Sequence, residues 1–215
     1  MFGCKEKTTE NNKIEHKTVL NKDLVEELKS MAAIDQIAAN NAFPPSDYTH
    51  LSQEQWETFK DSVYRKNQKR TKEILDKYGF VGYDIVGKQG SFNFWLIVQH
   101  SDHNPEFQNE VLEKMKVEVD RKNAESRNYG LLVDRVKLNL GQGQVYGTQV
   151  TYNKHTGQAY PRKLIDSVNV NERRKAVGLE PLEIYLNEMS EMHFEMNKTN
   201  MLKRGITKPK LYITE

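Results

Sequence analysis

Apolar side chains recur at three- and four-residue spacing along most of the chain, which is the pattern of amphipathic helices packed on a core. In the first such segment Leu24 and Leu28 fall on one side. The second begins with Ser52 and Gln55, a pairing that caps helix N-termini, and ends at Gly79. The same pattern predicts helices over 22–39, 52–78, 105–124, 128–140, 172–177 (capped by Asn171) and from 181 onward.

The most apolar window of the chain, Phe92 to Val98, lies between a glycine-bounded segment and a cluster of polar residues. The segment 82–87 before it is predicted to be a loop. Periodicity does not separate a buried strand from a buried helix in a run as short as this window. The polar cluster contains His100, Asp102 and His103, so the window is expected to cross the core and carry His100 to its edge.

One stretch breaks the helical periodicity. β-Branched and aromatic residues are frequent over 145–152 and again over 158–164, and the short connection between them contains Gly157. A β-hairpin is therefore predicted at about 145–164, and it must pack on the helices because an isolated hairpin is only marginally stable. The predicted fold class is mainly α, a single domain of six or seven helices that carries this hairpin.

Length and composition favour one domain and limit its partners. The chain has 215 residues, of which 37% are apolar and 29% charged, as expected for a globule with solvated outer faces. Residues 1–20 are predicted to form a flexible polar tether, residues 21–200 the helical domain, and residues 201–215 a loose basic tail. The net charge is only +2, so nucleic acid is not expected as a partner.

The only cysteine, Cys4, rules out an internal disulfide. It follows Gly3 and precedes a polar stretch, as the lipidated cysteine of a bacterial lipoprotein follows a small residue and precedes a tether. This favours a protein of the cell envelope, lipid-anchored at Cys4 and facing away from the cytoplasm. The alternative is a free thiol in a cytoplasmic protein that begins at Met1. Since no stretch is apolar for long enough to span a bilayer, membrane contact is expected only through that lipid.

Several short motifs resemble, in their order, those of a bacterial family of domains of unknown function. They are W-L-hydrophobic-hydrophobic-Q-H-x-D at 95–102, D-R-V at 134–136 and Y-G-T-Q at 146–149. The resemblance spans roughly residues 24–187 and includes Asp35 and Asn67. It favours a helix over a strand for the apolar window, and it implies no particular reaction.

The motifs also supply polar groups that are expected to meet in one site. Histidine titrates near neutral pH, so His100 is the candidate general base or acid, oriented by a carboxylate from Asp102 or Asp134. Five further residues are candidates for ligand binding through their cationic or hydrogen-bonding groups: Asn67, Arg70, Arg135, Tyr146 and Gln149. With arginines among them, the expected ligand is small, polar and anionic. No glycine-rich phosphate loop is present, and no cofactor is expected.

Other interpretations of these residues stay open. If the groups pair with one another, they form a buried network that only fixes the core of a structural or protein-interaction module. A metal site at His100, Asp102 and His103 is less favoured, because it lacks a second group of ligands at a recognised spacing. Asn67 and Arg70 are equally explained as the solvated margin of a stripe that drifts around a long helix. The sequence predicts a ligand-binding domain without deciding whether it is an enzyme.

Overall fold

In the computed structural model, which describes residues 19–214, helices follow one another for most of the chain. They are α1 Lys22–Asn40, α2 Gln53–Tyr78, α3 Tyr83–Gln99, α4 Pro105–Asp120, α5 Ser126–Asn139, α6 Val170–Ala176, α7 Leu182–Met196 and α8 Lys198–Lys203, with strands β1 Val150–Tyr152 and β2 Ala159–Pro161. The predicted mainly α fold with one hairpin is confirmed. These described residues form eight α-helices rather than six or seven. Almost all of the predicted tether, including Cys4, lies outside the described residues.

Side-chain caps fix where several helices begin. Ser52 accepts a hydrogen bond from the backbone N–H of Gln55, whose side chain accepts one from Ser52 in return, as predicted for α2. The prediction that Asn171 caps α6 is wrong, because the N-cap is Asn169. Asn171 instead accepts a hydrogen bond from the backbone N–H of Leu182 at 2.7 Å. Its side chain therefore ties α6 to the start of α7.

The apolar window is helical, and its helix begins earlier than predicted. The segment 82–87, expected to be a loop, forms the first turn of α3, which is kinked at Gly87 with φ 71° and ψ 174°. The turn is helical because Val86 is buried in the core and its N–H donates to the carbonyl of Gly82. Gly87 therefore produces a kink within α3, next to the buried Val86, and does not mark a loop.

Helices α1, α2 and α3 pack side by side and define one end at which polar side chains collect. The N–H of Asn21 donates to the carbonyl of Ile85 near one end of α1. Near the other end the indole N–H of Trp56 donates to the carbonyl of Asn41. Thus α1 runs antiparallel to α2 and parallel to α3. Helices α4 and α5 pack against each other and complete the main hydrophobic core.

The hairpin and the C-terminal segment form a second, smaller packed region. The strands are shorter than predicted, pairing Val150 with Pro161 and Tyr152 with Ala159. The segment after α8, predicted to be loose, is held against β2, since the Tyr212 hydroxyl donates to the carbonyl of Ala159 at 2.9 Å. A few apolar residues within a basic segment are therefore enough to anchor it.

Candidate functional site

The side chain of His100, directly after α3, meets a buried carboxylate from α1. Its Nδ1 lies 2.6 Å from Oδ2 of Asp35, which also accepts a hydrogen bond from Gln36. The Asp35 side chain is fully buried, whereas that of His100 is 19% exposed. A carboxylate oxygen accepts hydrogen bonds, so the proton in this contact is assigned to Nδ1, and Nε2 is the unprotonated ring nitrogen of the neutral imidazole.

The carboxylate that orients His100 is therefore Asp35, and the prediction of Asp102 or Asp134 in that role is wrong. The sequence contained a signal for Asp35 that went unused. Asp35 shares the apolar face of α1 with Leu24, Leu28 and Ala32, all of them buried. A carboxylate on such a face needs a buried partner, and that requirement alone marks it as a candidate.

On the elements that meet around His100, three buried polar atoms have no hydrogen-bond partner. Within residues 19–214 they are Oδ1 of Asp35, Nδ2 of Asn67 and Oγ of Ser101. Buried polar groups are nearly always paired, and each unpaired one costs about 1–3 kcal/mol. Each of these atoms keeps an unused hydrogen-bonding capacity, and Asn67 faces inward on α2.

Tyr64, which was not among the predicted residues, forms one side of this region. Its ring centroid lies 5.7 Å from that of His100, and it precedes Asn67 by about one helical turn on α2. Burial raises the pKa of the Tyr64 hydroxyl, and the negative charge of Asp35 raises it further. The phenol therefore stays protonated at neutral pH beside the His100–Asp35 pair.

Asp102 and Arg135 form a separate polar cluster close to His100 along the chain. Asp102 accepts hydrogen bonds from Arg135 at 2.6 Å, from Asn139 at 2.8 Å and from Gln108 at 3.2 Å. These contacts join the turn between α3 and α4 to α5. The positive charge of Arg135 is consequently matched by Asp102 rather than left free for a ligand.

Asp134 holds a loop in place. Its buried carboxylate accepts the backbone N–H groups of Val145 at 2.7 Å, Tyr146 at 3.0 Å and Thr148 at 2.8 Å. These donors occupy both oxygens of the carboxylate. We refer to Asp134 together with residues 145–148 as the Asp134 clasp. It takes the place of the first half of the predicted strand.

Gln149 also belongs to the loop region. Its backbone N–H donates to the side chain of Gln144 at 2.7 Å, and its own amide makes only a long contact with Thr148 at 3.4 Å. In the described chain neither Gln149 nor Asp134 hydrogen-bonds to His100. His100 is thus bonded to Asp35, whereas Asp134 and Gln149 are bonded within the 144–149 loop region.

Tyr146 contributes through its backbone carbonyl, which accepts a hydrogen bond from Arg174 at 2.7 Å. Arg174 is fully buried, donates also to the carbonyl of Glu180 at 2.6 Å, and lies 4.9 Å from the ring centroid of Tyr185. Burial lowers its pKa, but an arginine stays charged in proteins. This guanidinium ties α6 to the clasp and was missed from the sequence.

Arg70 lies at the solvent-exposed edge of α2. This agrees with the interpretation in which the apolar stripe of that helix drifts and leaves Arg70 at its margin. Its guanidinium hydrogen-bonds to Glu27 on α1 and to Glu73 one turn along, and these bonds raise its pKa. The Arg70 side chain is 43% exposed. It joins two helices at the surface rather than reaching into the site.

His103 is exposed at the turn after α3 and does not join His100 in a ligand set. Partial burial lowers the pKa of its imidazole, and the nearby charge of Arg65 lowers it further. Among residues 19–214, no group of three or more His, Cys, Asp or Glu side chains is arranged to hold a metal ion.

A cleft of about 230 Å³ opens beside Phe92 and Trp95, and His100 does not line it.

Residues 22–196 match a protein family described as a family of unknown function, DUF6624. The chain belongs to this family. The expected membership of a family of unknown function is thereby confirmed, and the matched DUF6624 region includes α1 to α7 with both the His100–Asp35 pair and the Asp134 clasp. Neither a curated protein nor a solved structure matches the chain. No helix in the described part of this DUF6624 protein is long and apolar enough to cross a membrane.

Proposed function

We propose that this DUF6624 protein binds a small polar ligand at the His100–Asp35 pair, with Nε2 of His100 as the atom that exchanges a proton with it. Asn67 and Ser101 supply further hydrogen bonds, and the Tyr64 ring covers one side. The ligand must offer a hydrogen-bond donor to Oδ1 of Asp35, and an anionic group on it is attracted only by protonated His100. The more distant arginines contribute little, because Arg70 and Arg135 are each paired with carboxylates.

The observation that carries this proposal is the incomplete pairing of Asp35. A fully buried carboxylate is costly unless its lone pairs are satisfied, yet Oδ1 has no partner among the described residues while Oδ2 orients His100. By contrast, both carboxylate oxygens of Asp134 accept backbone N–H groups. A buried carboxylate with one unpaired oxygen, next to a partly exposed imidazole, is typical of a site in which a ligand supplies the missing hydrogen bond.

Proton transfer at this pair follows from the roles of its two members. A ligand hydroxyl, or a water beside the ligand, hydrogen-bonds to Nε2 and passes its proton to that nitrogen as negative charge develops on its oxygen. The resulting imidazolium is stabilised by the carboxylate of Asp35 at 2.6 Å. Proton transfer to such a base typically accelerates a reaction about 10²–10⁴-fold.

A thermal-shift screen of small polar compounds, anions included, tests the proposal. A compound that raises the melting temperature of the wild type should have no effect on His100→Ala, because the variant lacks the Nε2 that binds the compound. His50→Ala is the matched control, since His50 lies outside the site, and it should keep the response. A ligand response that is unchanged in His100→Ala contradicts the proposal.

A second candidate function is that of a structural or protein-interaction module. The Asp134 clasp favours it, because both oxygens of this carboxylate are occupied by backbone N–H groups, and Arg174 braces the clasp through the carbonyl of Tyr146. In that case no small polar compound should raise the melting temperature of the wild type.

Localisation forms a separate part of the proposal. We infer that the protein is lipid-anchored at Cys4 and faces away from the cytoplasm; support comes from Gly3 before this cysteine and the polar residues after it. Expression of the full-length gene with Cys4→Ser should then release the protein from the membrane fraction. Identical fractionation of the variant and the wild type contradicts the anchor and favours the cytoplasmic alternative.

A further inference from the structure

A cleft between α3 and the start of α5 is lined by aromatic rings and bears one carboxylate at its rim. It measures about 230 Å³, and the residues that give it its character are Phe80, Tyr83, Lys88, Phe92, Trp95 and Glu125. This volume lies below the roughly 300–1,000 Å³ of pockets that take drug-sized ligands, so the cleft suits a smaller molecule.

The aromatic wall is held rigidly by the helix that carries it. Phe92 and Trp95 are three residues apart on α3, with ring centroids 5.5 Å apart and planes tilted by 38°. Trp95 is 5% exposed and its indole N–H donates to the carbonyl of Asn128 at 2.9 Å, which fixes the plane of the ring. Phe92 is 40% exposed and stands nearer the mouth. The face of an aromatic ring carries the negative end of its quadrupole, and Phe92 is the more exposed of these two rings.

One carboxylate and one ammonium group border the cleft. The carboxylate of Glu125 reaches to 3.5 Å from the Tyr83 hydroxyl, at the edge of the aromatic wall. The protein's own ammonium group, that of Lys88, lies 5.8 Å from the centroid of the Tyr83 ring. One wall of the cleft is therefore already in contact with a tethered cation, at a distance where cation–π attraction operates.

We propose that this cleft binds a small quaternary ammonium compound of the choline class, with Phe92, Trp95 and Tyr83 as the cage and Glu125 as the counter-charge. Alkylammonium ions are bound by aromatic side chains because the diffuse cation lies against ring faces at low desolvation cost. Lys88 acts as a competing internal cation at the mouth. The cleft is independent of the His100 site, and the two proposals can fail separately.

A nuclear magnetic resonance titration of the ¹⁵N-labelled full chain with choline chloride tests this site. The chain has two tryptophans, and Trp56, bonded to Asn41 on the other side of the core, serves as the internal reference. Choline should move the Trp95 indole signal along a saturable curve. The neutral isostere 3,3-dimethylbutan-1-ol should bind several-fold more weakly, and sodium chloride at equal concentration should leave the signal in place.

Three surface variants separate the contributions. Phe92→Leu and Glu125→Gln should each weaken choline binding about two- to fivefold, as the loss of one exposed cation–π or charge contact does, whereas Lys88→Met should strengthen it. Phe43→Leu is the control, because Phe43 is 74% exposed and outside the cleft. Equal affinity for choline and its neutral isostere, an absent shift, or unchanged binding in both Phe92→Leu and Glu125→Gln overturns the proposal.

Discussion

Replacing Asp134 by asparagine should remove a large part of the stability of the protein while barely changing side-chain volume. The carboxylate accepts two backbone N–H groups at Oδ1, from Val145 and Tyr146, and one at Oδ2, from Thr148. Asparagine keeps one acceptor oxygen and replaces the other with an NH₂ group. The least costly orientation points that NH₂ at the N–H of Thr148, so two donors face each other in a buried site.

The expected loss follows from counting these bonds. A hydrogen bond to a charged group contributes about 1.5–3 kcal/mol and a neutral one about 1 kcal/mol. Asp134→Asn loses the Thr148 bond outright and turns the bonds from Val145 and Tyr146 from charge-assisted into neutral ones. The sum is a decrease of about 2.5–7 kcal/mol in the free energy of unfolding, a range that includes the cost of breaking a buried ion pair.

Urea denaturation followed by circular dichroism measures this loss. Asp102→Asn is the control, because the Asp102 side chain is 48% exposed and its pairing with Arg135 should contribute about 0–1 kcal/mol. A decrease of less than about 1 kcal/mol for Asp134→Asn would refute the view that the clasp holds the loop, since it would mean that the three N–H groups readily find other acceptors.

Two further changes follow from groups outside the candidate site. Arg174→Lys should lower the free energy of unfolding by about 2–4 kcal/mol, because one ammonium cannot reach the carbonyls of both Tyr146 and Glu180; equal urea midpoints would contradict this. Burial beside Tyr152 lowers the pKa of His193 from its ordinary 6.5. As the pH drops below 6.5, the unfolded state therefore binds more protons than the folded state, and the free energy of unfolding decreases. Urea midpoints at about pH 7 and pH 5 should differ less in His193→Gln than in the wild type.

The helices with strong local signals could be predicted almost to the residue. For α2 the Ser52–Gln55 pairing and Gly79 determine the two ends, and both are properties of neighbouring residues. The start of α3 could not be predicted in this way, because the turn before Gly87 is helical through the packing of Val86 in the core. The hairpin was predicted too long for a similar reason: residues 145–149 look extended in sequence, but Asp134 binds their backbone.

The candidate site was only partly predictable. His100 was found because it follows the most apolar window, and Asn67 because it interrupts an apolar stripe. Asp35, the partner of His100, is 65 residues away in the chain, so only the packing of α1 against α3 brings the two together. Local patterns likewise grouped Asp134 with His100, although its hydrogen-bond partners are the backbone groups of a loop.

The measurement that tests the central claim most directly is the stability and ligand response of Asp35→Asn, compared with Asp134→Asn. Both side chains are fully buried carboxylates, so the same substitution is made in matched surroundings. If Asp35 serves a ligand, Asp35→Asn should cost less stability than Asp134→Asn, about 1–4 kcal/mol, because Oδ1 has no bond to lose and the bonds from His100 and Gln36 only change from charge-assisted to neutral. The variant should also lose the response to any compound that stabilises the wild type. A loss as large as that of Asp134→Asn, or an intact ligand response, would contradict the proposed site.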